Sequence, residues 1–344
     1  MTVSPPLPAL LAAAIPIALP LAQRFRGLDV REAMVFEGPQ GWAEFAPFDD
    51  YSEAAAARWL VGAIDTATTP WPTPLRAAVP VNAIVPALDA AGAQALASEA
   101  IARGCTTIKV KVGAASLDDD IARVAAVRAA LDDSGVAGAI RVDANAAWSR
   151  AQAIAALRAL APFGLEYVEQ PCADIDDIAA VRAAVDVPVA VDETVRGAVD
   201  PAALDLAALA DVVILKPQPL GGVHATLALA ETLTARGVQA IVISGSLDSA
   251  VGLPAVVATA AALPGEVRAS GVGTGALLAD DLLTAPLVPT DGVLNVGRVA
   301  PDPSALERAA ARVSADRRAY WRARLESAWR LAATDPAVRD RVGT

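Results

Sequence analysis

The sequence predicts an α/β protein, a modified (β/α) TIM barrel with an N-terminal α+β capping domain and a C-terminal tail that packs back onto both. Two observations predict this fold. From residue 77 onward, short β-branched runs alternate with helical stretches rich in Ala and Leu, and the alternation gives eight strand candidates. These runs are apolar along most of their length, as parallel strands buried on both faces are.

The capping domain is predicted to span residues 1–75. Its apolar stretch at residues 7–21 is too short to cross a bilayer, has no positive charge before it and contains several prolines. Because proline breaks a helix interior, strand and loop are expected there. Extended segments are predicted at residues 30–36 and 41–45, and an alanine-rich helix at residues 51–64.

The barrel domain is predicted to span residues 76–285, and a C-terminal segment residues 286–344. The strand candidates are residues 78–84, 106–112, 140–144, 165–170, 187–192, 212–216, 240–244 and 267–271. A doubly wound open sheet is the alternative fold. No Gly-x-Gly-x-x-Gly follows the first strand, so the dinucleotide-binding form of that alternative loses support. In the C-terminal segment, an arginine-rich helical part is expected to pack through Trp321 and Trp329.

Composition argues against several classes of partner. A net charge of −11 and a single histidine, His224, do not suit a surface for DNA or RNA, so no nucleic-acid partner is expected. No segment has the pattern of a membrane span or a signal peptide, so no membrane partner is expected either. The two cysteines, Cys105 and Cys172, provide neither a disulfide framework nor zinc-ligand spacing, which suits a cytoplasmic protein.

Ionisable side chains stand at the ends of five consecutive strand candidates. They are Lys111, Asp143, Glu169, Asp192 and Lys216. Any one carboxylate alone would as readily cap a helix or pair with a cation. In a barrel, however, the C-terminal ends of the strands carry the chemistry, so five such residues in barrel order predict a site.

The three carboxylates at these strand ends, Asp143, Glu169 and Asp192, would repel one another unless a divalent cation neutralised them. No His or Cys accompanies them, and an all-oxygen ligand set favours a hard ion, Mg²⁺ first and Mn²⁺ second. We therefore expect a magnesium site with these three residues as ligands.

Lysines flank the carboxylates on both sides, which is a geometry for proton transfer. Lys109 and Lys111 share one face of their strand, because side chains alternate along a strand. The charge of Lys109 and partial desolvation should lower the pKa of Lys111 toward that of a useful base. A bound carboxylate substrate could then lose its α-proton to a lysine, with the metal stabilising an enediolate intermediate. A phosphate-binding barrel is the alternative, because a glycine-rich run at residues 271–275 follows the last strand candidate.

These residues lie in motifs that resemble those of the enolase superfamily, in its muconate-lactonizing branch. The matching motifs are Lys109-Val110-Lys111, Asp143-Ala144-Asn145, Glu169-Gln170-Pro171, Asp192-Glu193 and Lys216-Pro217. Within that branch, segments such as residues 41–48, 104–111 and 218–222 are most similar to the o-succinylbenzoate synthases of the actinobacterial type. The resemblance implies a lyase of menaquinone biosynthesis that dehydrates 2-succinyl-6-hydroxy-2,4-cyclohexadiene-1-carboxylate to 2-succinylbenzoate.

The resemblance also implies a role for each lysine. Lys111 would be the base and would return its proton to the departing hydroxyl, a syn elimination of water. Lys216 would lie over the opposite face of the substrate ring and stabilise the enolate as a cation. Lys109 would tune Lys111. The three carboxylates keep their expected role as Mg²⁺ ligands.

Substrate-binding residues are implied at two further places. Ser244, Gly245 and Ser246 end the seventh strand candidate, where relatives bind a substrate carboxylate, and their small side chains and exposed amides fit that task. Arg26 lies in a loop that is expected to cover the barrel mouth, where it could pair with the succinyl carboxylate. A plain surface loop is the alternative. The expected partner is therefore a small-molecule carboxylate, and the protein is expected to be a monomer or a small homo-oligomer.

Two other functions remain open at this point. An N-succinylamino acid racemase or dipeptide epimerase would keep the same charged residues but use both lysines as acid and base. A non-catalytic barrel that only binds a ligand is the alternative of another class. Buried charges without a chemical role would destabilise such a protein, which argues against it.

Overall fold

The structure is a computed structural model that describes residues 6–334. Residues 1–5 and 335–344, at the outer ends of the predicted capping domain and C-terminal segment, lie outside the described residues. The predicted boundaries between the three regions stay predictions.

The described chain begins with a short helix, α1 (Leu7–Ala13), where strand and loop were predicted. That prediction was wrong because Pro8 lies in the first turn, where a missing N–H removes no helical hydrogen bond. Pro16 and Pro20 come after the helix and lie in the first strand, so they do not interrupt it.

A three-stranded antiparallel sheet forms the capping domain together with one long helix. The elements are β1 (Ile15–Phe25), β2 (Leu28–Gly38), β3 (Gly41–Phe45) and α2 (Glu53–Thr68). Ser52 begins α2 by accepting a hydrogen bond from the amide of Ala55, as an N-cap serine does. Met34 and Phe36 of the sheet and Trp59 and Leu60 of the helix are buried in one apolar core.

The barrel is a curled parallel sheet. The strands after the capping domain are β4 (Ala78–Pro80), β5 (Asn82–Val85), β6 (Thr107–Lys111), β7 (Ala139–Asp143), β8 (Leu165–Glu169), β9 (Val189–Val191), β10 (Val212–Leu215), β11 (Ile241–Ile243) and β12 (Val293–Asn295). Strands β5 to β11 pair in chain order to form the seven-stranded parallel sheet. The predicted fold class is therefore confirmed.

Helices cover the outside of this sheet. They are α3 (Ala90–Ala102), α4 (Leu117–Asp133), α5 (Arg150–Leu160), α6 (Ile175–Ala184), α7 (Glu193–Gly197), α8 (Leu206–Leu209), α9 (Val223–Ala235) and α10 (Leu253–Ala262). The largest apolar core lies between the strands and these helices. A second cluster, which includes Tyr167, Ile214 and Val242, fills the inside of the barrel.

The first predicted barrel strand is divided in two. Its beginning, β4, pairs antiparallel with β12, and only β5 joins the parallel sheet.

The eighth predicted strand, residues 267–271, is not a strand in the structure. Only Ser270 and Gly271 are extended, and they lie between the two ends of the sheet. Ser270 makes one isolated β-bridge with Val81, and Gly271 makes one with Ser244. The chain then turns into a 3-10 helix (Gly273–Leu277), which ends the extended backbone. These two residues still close the barrel, because their backbone hydrogen bonds reach both neighbouring strands.

The C-terminal segment forms two helices, α11 (Pro303–Ala311) and α12 (Ala315–Thr334), that pack back onto the capping domain. Trp321 is buried there and its ring meets that of Phe45 edge-on, while Trp329 is partly buried against the same core. The expected packing of both tryptophans is observed. Across residues 6–334, every helix is too short or too polar to traverse a bilayer.

Candidate active site

Strand register places the charged side chains at one level of the barrel. Lys111 pairs with Asp143 across β6 and β7, and Asp143 pairs with Glu169 across β7 and β8. Asp192 directly follows β9, and Lys216 directly follows β10. Because all these strands are parallel, the five residues predicted from sequence meet at the C-terminal mouth of the barrel.

Each carboxylate at the barrel mouth is bonded to a lysine. Lys109 Nζ lies 2.6 Å from Glu169 Oε1 and 2.8 Å from Asp143 Oδ2. Lys111 Nζ lies 2.6 Å from Asp143 Oδ2, and on the other side of the site Lys216 Nζ lies 2.6 Å from Asp192 Oδ2. The three carboxylates are each only 1% exposed, so these contacts are charge pairs in a desolvated setting.

The neighbouring lysines differ in their electrostatic surroundings. Burial first, and then the charge of Lys109, lower the pKa of Lys111, although Asp143 opposes both effects. Burial also opposes the charge of Lys109, but its two carboxylate partners outweigh burial and raise its pKa. Lys109 is therefore held as a cation, and Lys111 is the lysine of this pair that gives up a proton more readily.

The carboxylates are also unequal. Burial and then the charge of Asp143 raise the pKa of Glu169 to about 7. Burial acts in the same direction on Asp143, but Lys109 and Lys111 outweigh it and hold the pKa of Asp143 below its usual value. Glu169 is therefore the carboxylate of this cluster that most readily takes up a proton.

Among residues 6–334, no group of three or more His, Cys, Asp or Glu side chains is arranged to hold a metal ion. Lysine ammonium groups lie against the carboxylates instead. The residues nevertheless fit a hard cation. Asp192 Oδ1 is buried and has no hydrogen-bond partner among the described residues, although Arg196 Nε lies 3.5 Å from it as an ion-pair partner. A buried carboxylate oxygen that accepts no hydrogen bond, together with two further carboxylates, is a donor set that suits Mg²⁺.

A cavity opens beside these charges. The side chains and backbone that line it come from both domains and include Phe25, Arg26, Asn82, Ile84, Lys109, Lys111, Asp143, Asn145, Lys216, Ser244, Gly245, Ser246, Leu247, Gly271 and Thr274. The structure therefore brings the predicted lysines, the serine segment and Arg26 to one cavity. Asp143 lines that cavity, whereas Glu169 and Asp192 lie just behind it, against the lysines.

Arg26 lies at the turn between β1 and β2, with a φ of 52° followed by Gly27 at 76°. Its guanidinium lies over the ring of Phe48, with 4.6 Å from the carbon to the ring centroid. The neighbouring Phe25 ring faces Lys111 Nζ at 5.5 Å. This turn of the capping domain thus forms one wall of the cavity, as the sequence predicted.

The segment Ser244 to Ser246 is held by residues that sequence reasoning did not single out. Arg31 of β2 donates from Nε to Leu247 O at 3.1 Å, and its Nη2 donates to Ala46 O. Asp248 accepts from the amide of Ser246 at 2.7 Å. The sequence offered no signal for Arg31, because β2 also carries Asp29, Glu32 and Glu37 and a charged residue on such a strand is normally solvent-facing.

Glu44 of the capping domain also contacts this loop. Its Oε2 accepts from the amide of Ser249 at 3.0 Å, and burial followed by the charge of Asp248 raises its pKa to about 7. Arg31 opposes that rise. The segment that follows β11 is therefore held by two buried residues of the capping domain, Glu44 and Arg31.

A second group of missed residues surrounds Asp192. Gln170, at a φ of 42°, accepts from the amide of Asp192 at 3.0 Å and so fixes the backbone of that carboxylate. Arg196 of α7 bonds Glu193 at 2.8 Å and also donates to the hydroxyl of Tyr51 in the capping domain. Asn145, which follows Asp143, accepts from Lys111 Nζ at 2.5 Å. Gln170, Glu193 and Asn145 lie inside the sequence motifs, so their places in the motifs were the available signal.

Comparison with known proteins agrees with this geometry. The family model described as enolase C-terminal domain-like matches residues 92–303, and the model described as enolase N-terminal domain-like matches residues 17–67. Among solved structures, a muconate lactonizing enzyme from Pseudomonas fluorescens, complexed with muconolactone, has a TM-score of 0.73 at 22% identity over 86% of this chain and 97% of that one. The L-Ala-D/L-Glu epimerase from Bacillus subtilis has a TM-score of 0.70 at 19% identity over 84% of this chain and 96% of that one. At such identities these structures share the fold alone.

Curated relatives are much more similar in sequence. An o-succinylbenzoate synthase from Thermobifida fusca (strain YX) is 46% identical over 324 residues, which are 93% of this chain and 98% of the relative. The o-succinylbenzoate synthase from Mycobacterium tuberculosis (strain ATCC 25618 / H37Rv) is 45% identical over 334 residues, which are 96% of this chain and 97% of the relative. With nearly full-length matches to these enzymes and a matching enolase-type barrel, the chain belongs to the o-succinylbenzoate synthase family of the enolase superfamily.

Proposed function

We infer that the chain is a lyase with o-succinylbenzoate synthase activity, which removes water from 2-succinyl-6-hydroxy-2,4-cyclohexadiene-1-carboxylate to give 2-succinylbenzoate. The similarity of 45–46% to enzymes of that name, over nearly the whole of both chains, carries this inference. The cavity supports it independently, because lysines and a carboxylate face the space where a carboxylate substrate would bind.

Lys111 is the base in this proposal. Its neutral amine takes the proton from the ring carbon that bears the carboxylate, and the electron pair of that C–H bond enters the ring. The bond from the adjacent carbon to the hydroxyl then breaks, and the oxygen leaves as water with the proton that Lys111 held. One proton and one hydroxyl leave, so the product ring is aromatic. The lowered pKa of Lys111 supports this role, because it makes the neutral amine easier to form than it is for an ordinary lysine.

Lys216 is the electrostatic partner in this proposal. It faces the same cavity from β10, while Lys111 faces it from β6. Its ammonium stabilises the negative charge that develops on the ring and carboxylate, and it does not need to transfer a proton. Lys109, held by Asp143 and Glu169, keeps the neighbouring Lys111 low in pKa.

Asp143, Glu169 and Asp192 are the proposed ligands of Mg²⁺, with Mn²⁺ as a substitute. A bound ion would offset the negative charge that grows on the substrate carboxylate as its α-proton leaves. Asp192 Oδ1 supports this assignment, because it is buried and accepts no hydrogen bond from the described residues, which leaves a carboxylate oxygen available to a cation.

The remaining predicted residues are proposed to bind the substrate. Arg26 reaches the cavity from the capping domain and is assigned to the distal carboxylate of the succinyl chain. Ser244, Gly245 and Ser246 also line the cavity at the end of β11, and the two serines offer their hydroxyls. The exposed amides expected from sequence are not found, because the three amides already donate to Leu215 O, Gly271 O and Asp248. The two cysteines are free and buried, which supports placing the enzyme in the reducing cytoplasm.

The test is a direct comparison of two reactions. The purified chain, with Mg²⁺, is given the cyclohexadiene substrate in one assay and an N-succinylamino acid in deuterated water in the other. Formation of 2-succinylbenzoate that is lost in Lys111→Ala supports the proposal. Deuterium exchange and racemisation at a higher kcat/KM than dehydration would support the racemase instead, whose fold also places a lysine on each side of the site.

A further inference from the structure

The cavity has two chemically different sides. The carboxylates and lysines come from β6 to β10 and their ends. The other side is built by β5, by the end of β11 and by the 3-10 helix that follows Gly271. Asn82, Ser244 and Thr274 line that second side, and none of them carries a charge.

Asn82 presents an unused hydrogen-bond donor. The residue is 1% exposed, and its Oδ1 accepts from Arg141 Nη1 at 2.7 Å. Because a guanidinium only donates, this contact fixes which end of the amide faces Arg141. The Nδ2 group is therefore a defined donor, and it has no partner within the described residues. Its bond to a cation also polarises the amide, which strengthens the N–H groups.

Thr274 presents a second unused polar group. It is 3% exposed, and its Oγ1 has no partner in the described chain. The 3-10 helix that carries it is drawn close to β5 by Gly273, where an added Cβ would lie 2.8 Å from Asn82 O. Thr274 and Asn82 thus reach the cavity from adjacent parts of the barrel wall.

Buried polar groups without partners are rare, because each one costs free energy that a hydrogen bond would recover. Two of them on one wall of a substrate cavity indicate that a ligand supplies the missing acceptor. The Ser244 hydroxyl beside them is only weakly engaged, with acceptor oxygens at 3.4 and 3.5 Å. The wall is therefore a cluster of neutral donors.

We propose that Asn82 and Thr274 form a specificity subsite that donates hydrogen bonds to the ketone oxygen of the substrate's succinyl group. This inference rests on the proposed function. A neutral ketone suits this wall because the wall is neutral, whereas the carboxylates of the substrate are matched by the cationic side chains elsewhere in the cavity. A site built to bond an oxygen also rejects analogues that lack it, since its donors are then left buried and unpaired.

The experiment compares two ligands by calorimetry in buffer with Mg²⁺. One is the product, 2-succinylbenzoate, and the other is 2-(3-carboxypropyl)benzoate, in which a methylene replaces the ketone. Thr274→Val removes the hydroxyl at nearly constant volume and should weaken binding of the product about tenfold while leaving the analogue unchanged. Thr274→Ser should restore most of the affinity for the product. Asn82→Asp, which keeps an acceptor for Arg141 but removes the donor, should weaken product binding at least as much.

A matched control is Thr259→Val in α10. Thr259 is fully buried, and its hydroxyl donates within its own helix to Ala255 O at 2.8 Å, so both ligands should bind as they do to the original chain. Steady-state kinetics give a second readout, because Thr274→Val should raise KM for the cyclohexadiene substrate more than it lowers kcat.

Two results would overturn the subsite. One is an equal loss of affinity for both ligands in Thr274→Val, which would assign the residue to structure or to a carboxylate. The other is no loss for either ligand. If the original chain neither binds 2-succinylbenzoate nor dehydrates the cyclohexadiene, the proposed function itself fails, and the subsite fails with it.

Discussion

Replacing Arg31 by Met should both destabilise the protein and weaken substrate binding. Arg31 is 3% exposed and joins the capping domain to the loop that follows β11. It donates to the carbonyl oxygens of Ala46, Leu247 and Ser246, the last at 3.5 Å. Its guanidinium also lies over the ring of Phe48, 4.1 Å from the centroid. Methionine would fill part of the volume but would donate no hydrogen bond.

The size of the loss follows from these contacts. The carbonyl oxygens of Leu247 and Ala46 would lose this donor, and a buried acceptor left without a donor costs about 1–3 kcal/mol. Glu44 and Asp248 also lose a cation that lowers the pKa of each of them. Removing one member of a buried charge cluster typically costs about 3–5 kcal/mol, so we expect a loss in this range.

Urea unfolding measures this loss, and the KM for the cyclohexadiene substrate measures the effect on the loop. Arg24→Met is the matched control, because Arg24 pairs with Asp29 on the exposed surface at 3.2 Å and should contribute less than about 1 kcal/mol. Arg31→Lys should lose an intermediate amount of unfolding free energy, more than Arg24→Met and less than Arg31→Met. Lysine keeps the positive charge but lacks the several planar N–H donors of a guanidinium. A free energy of unfolding for Arg31→Met within about 1 kcal/mol of the original chain would refute this reasoning.

Three further outcomes are expected. Lys216→Arg should retain measurable dehydration, whereas Lys111→Arg should retain essentially none, because arginine keeps the charge but cannot exchange a proton at neutral pH. Formation of 2-succinylbenzoate measures the activity of both variants. If only Lys111→Arg were active, the roles assigned to the two lysines would be reversed. Excess EDTA should abolish activity, and full activity in EDTA would contradict the proposed metal site. Asp192→Asn should weaken Mg²⁺ binding, which a calorimetric titration measures. Burial and Asp248 raise the pKa of Glu44 from about 4.5 to about 7, so the folded protein keeps a proton there that the unfolded chain releases. The free energy of unfolding should therefore fall as pH rises from about 5 to 7, by up to about 3 kcal/mol from Glu44 alone, and the fall should be smaller in Glu44→Gln. Urea unfolding at both pH values measures the fall in both proteins. An equal fall in the two would show that Glu44 does not titrate, because Glu169, whose pKa is also raised to about 7, is present in each of them.

The repeating parts of the fold could be predicted from sequence because local patterns determine them. Seven of the eight strand candidates overlap strands of the parallel sheet. The eighth was predicted from its place in the alternation, because only Val267 among residues 267–271 is β-branched, and in the structure only Ser270 and Gly271 extend between the sheet ends. Helix α1 was missed because a proline in a first turn and a proline in a helix interior have the same one-letter pattern.

The site could be predicted where charge and position coincide. A lysine or carboxylate at the end of an apolar strand departs from the pattern of a buried strand, so Lys111, Asp143 and Glu169 were visible. Arg31 and Glu44 were not, because β2 and β3 alternate faces and a charged residue on such a strand is normally solvent-facing. Only the packing of the capping domain on the barrel buries them.

The same packing explains why the capping domain is part of the site as well as a cover for it. Arg31 and Glu44 hold the segment after β11, and Tyr51 accepts a hydrogen bond from Arg196 in the helix after β9. These contacts reach loops on both sides of Lys216, so the placement of that lysine depends on the cap being docked. A cap that is only partly docked would leave buried polar groups at both loops without these hydrogen bonds, which is costly. The docked state is therefore favoured by the same hydrogen bonds that hold the loops around the cavity, and stability and substrate binding should change together in this protein.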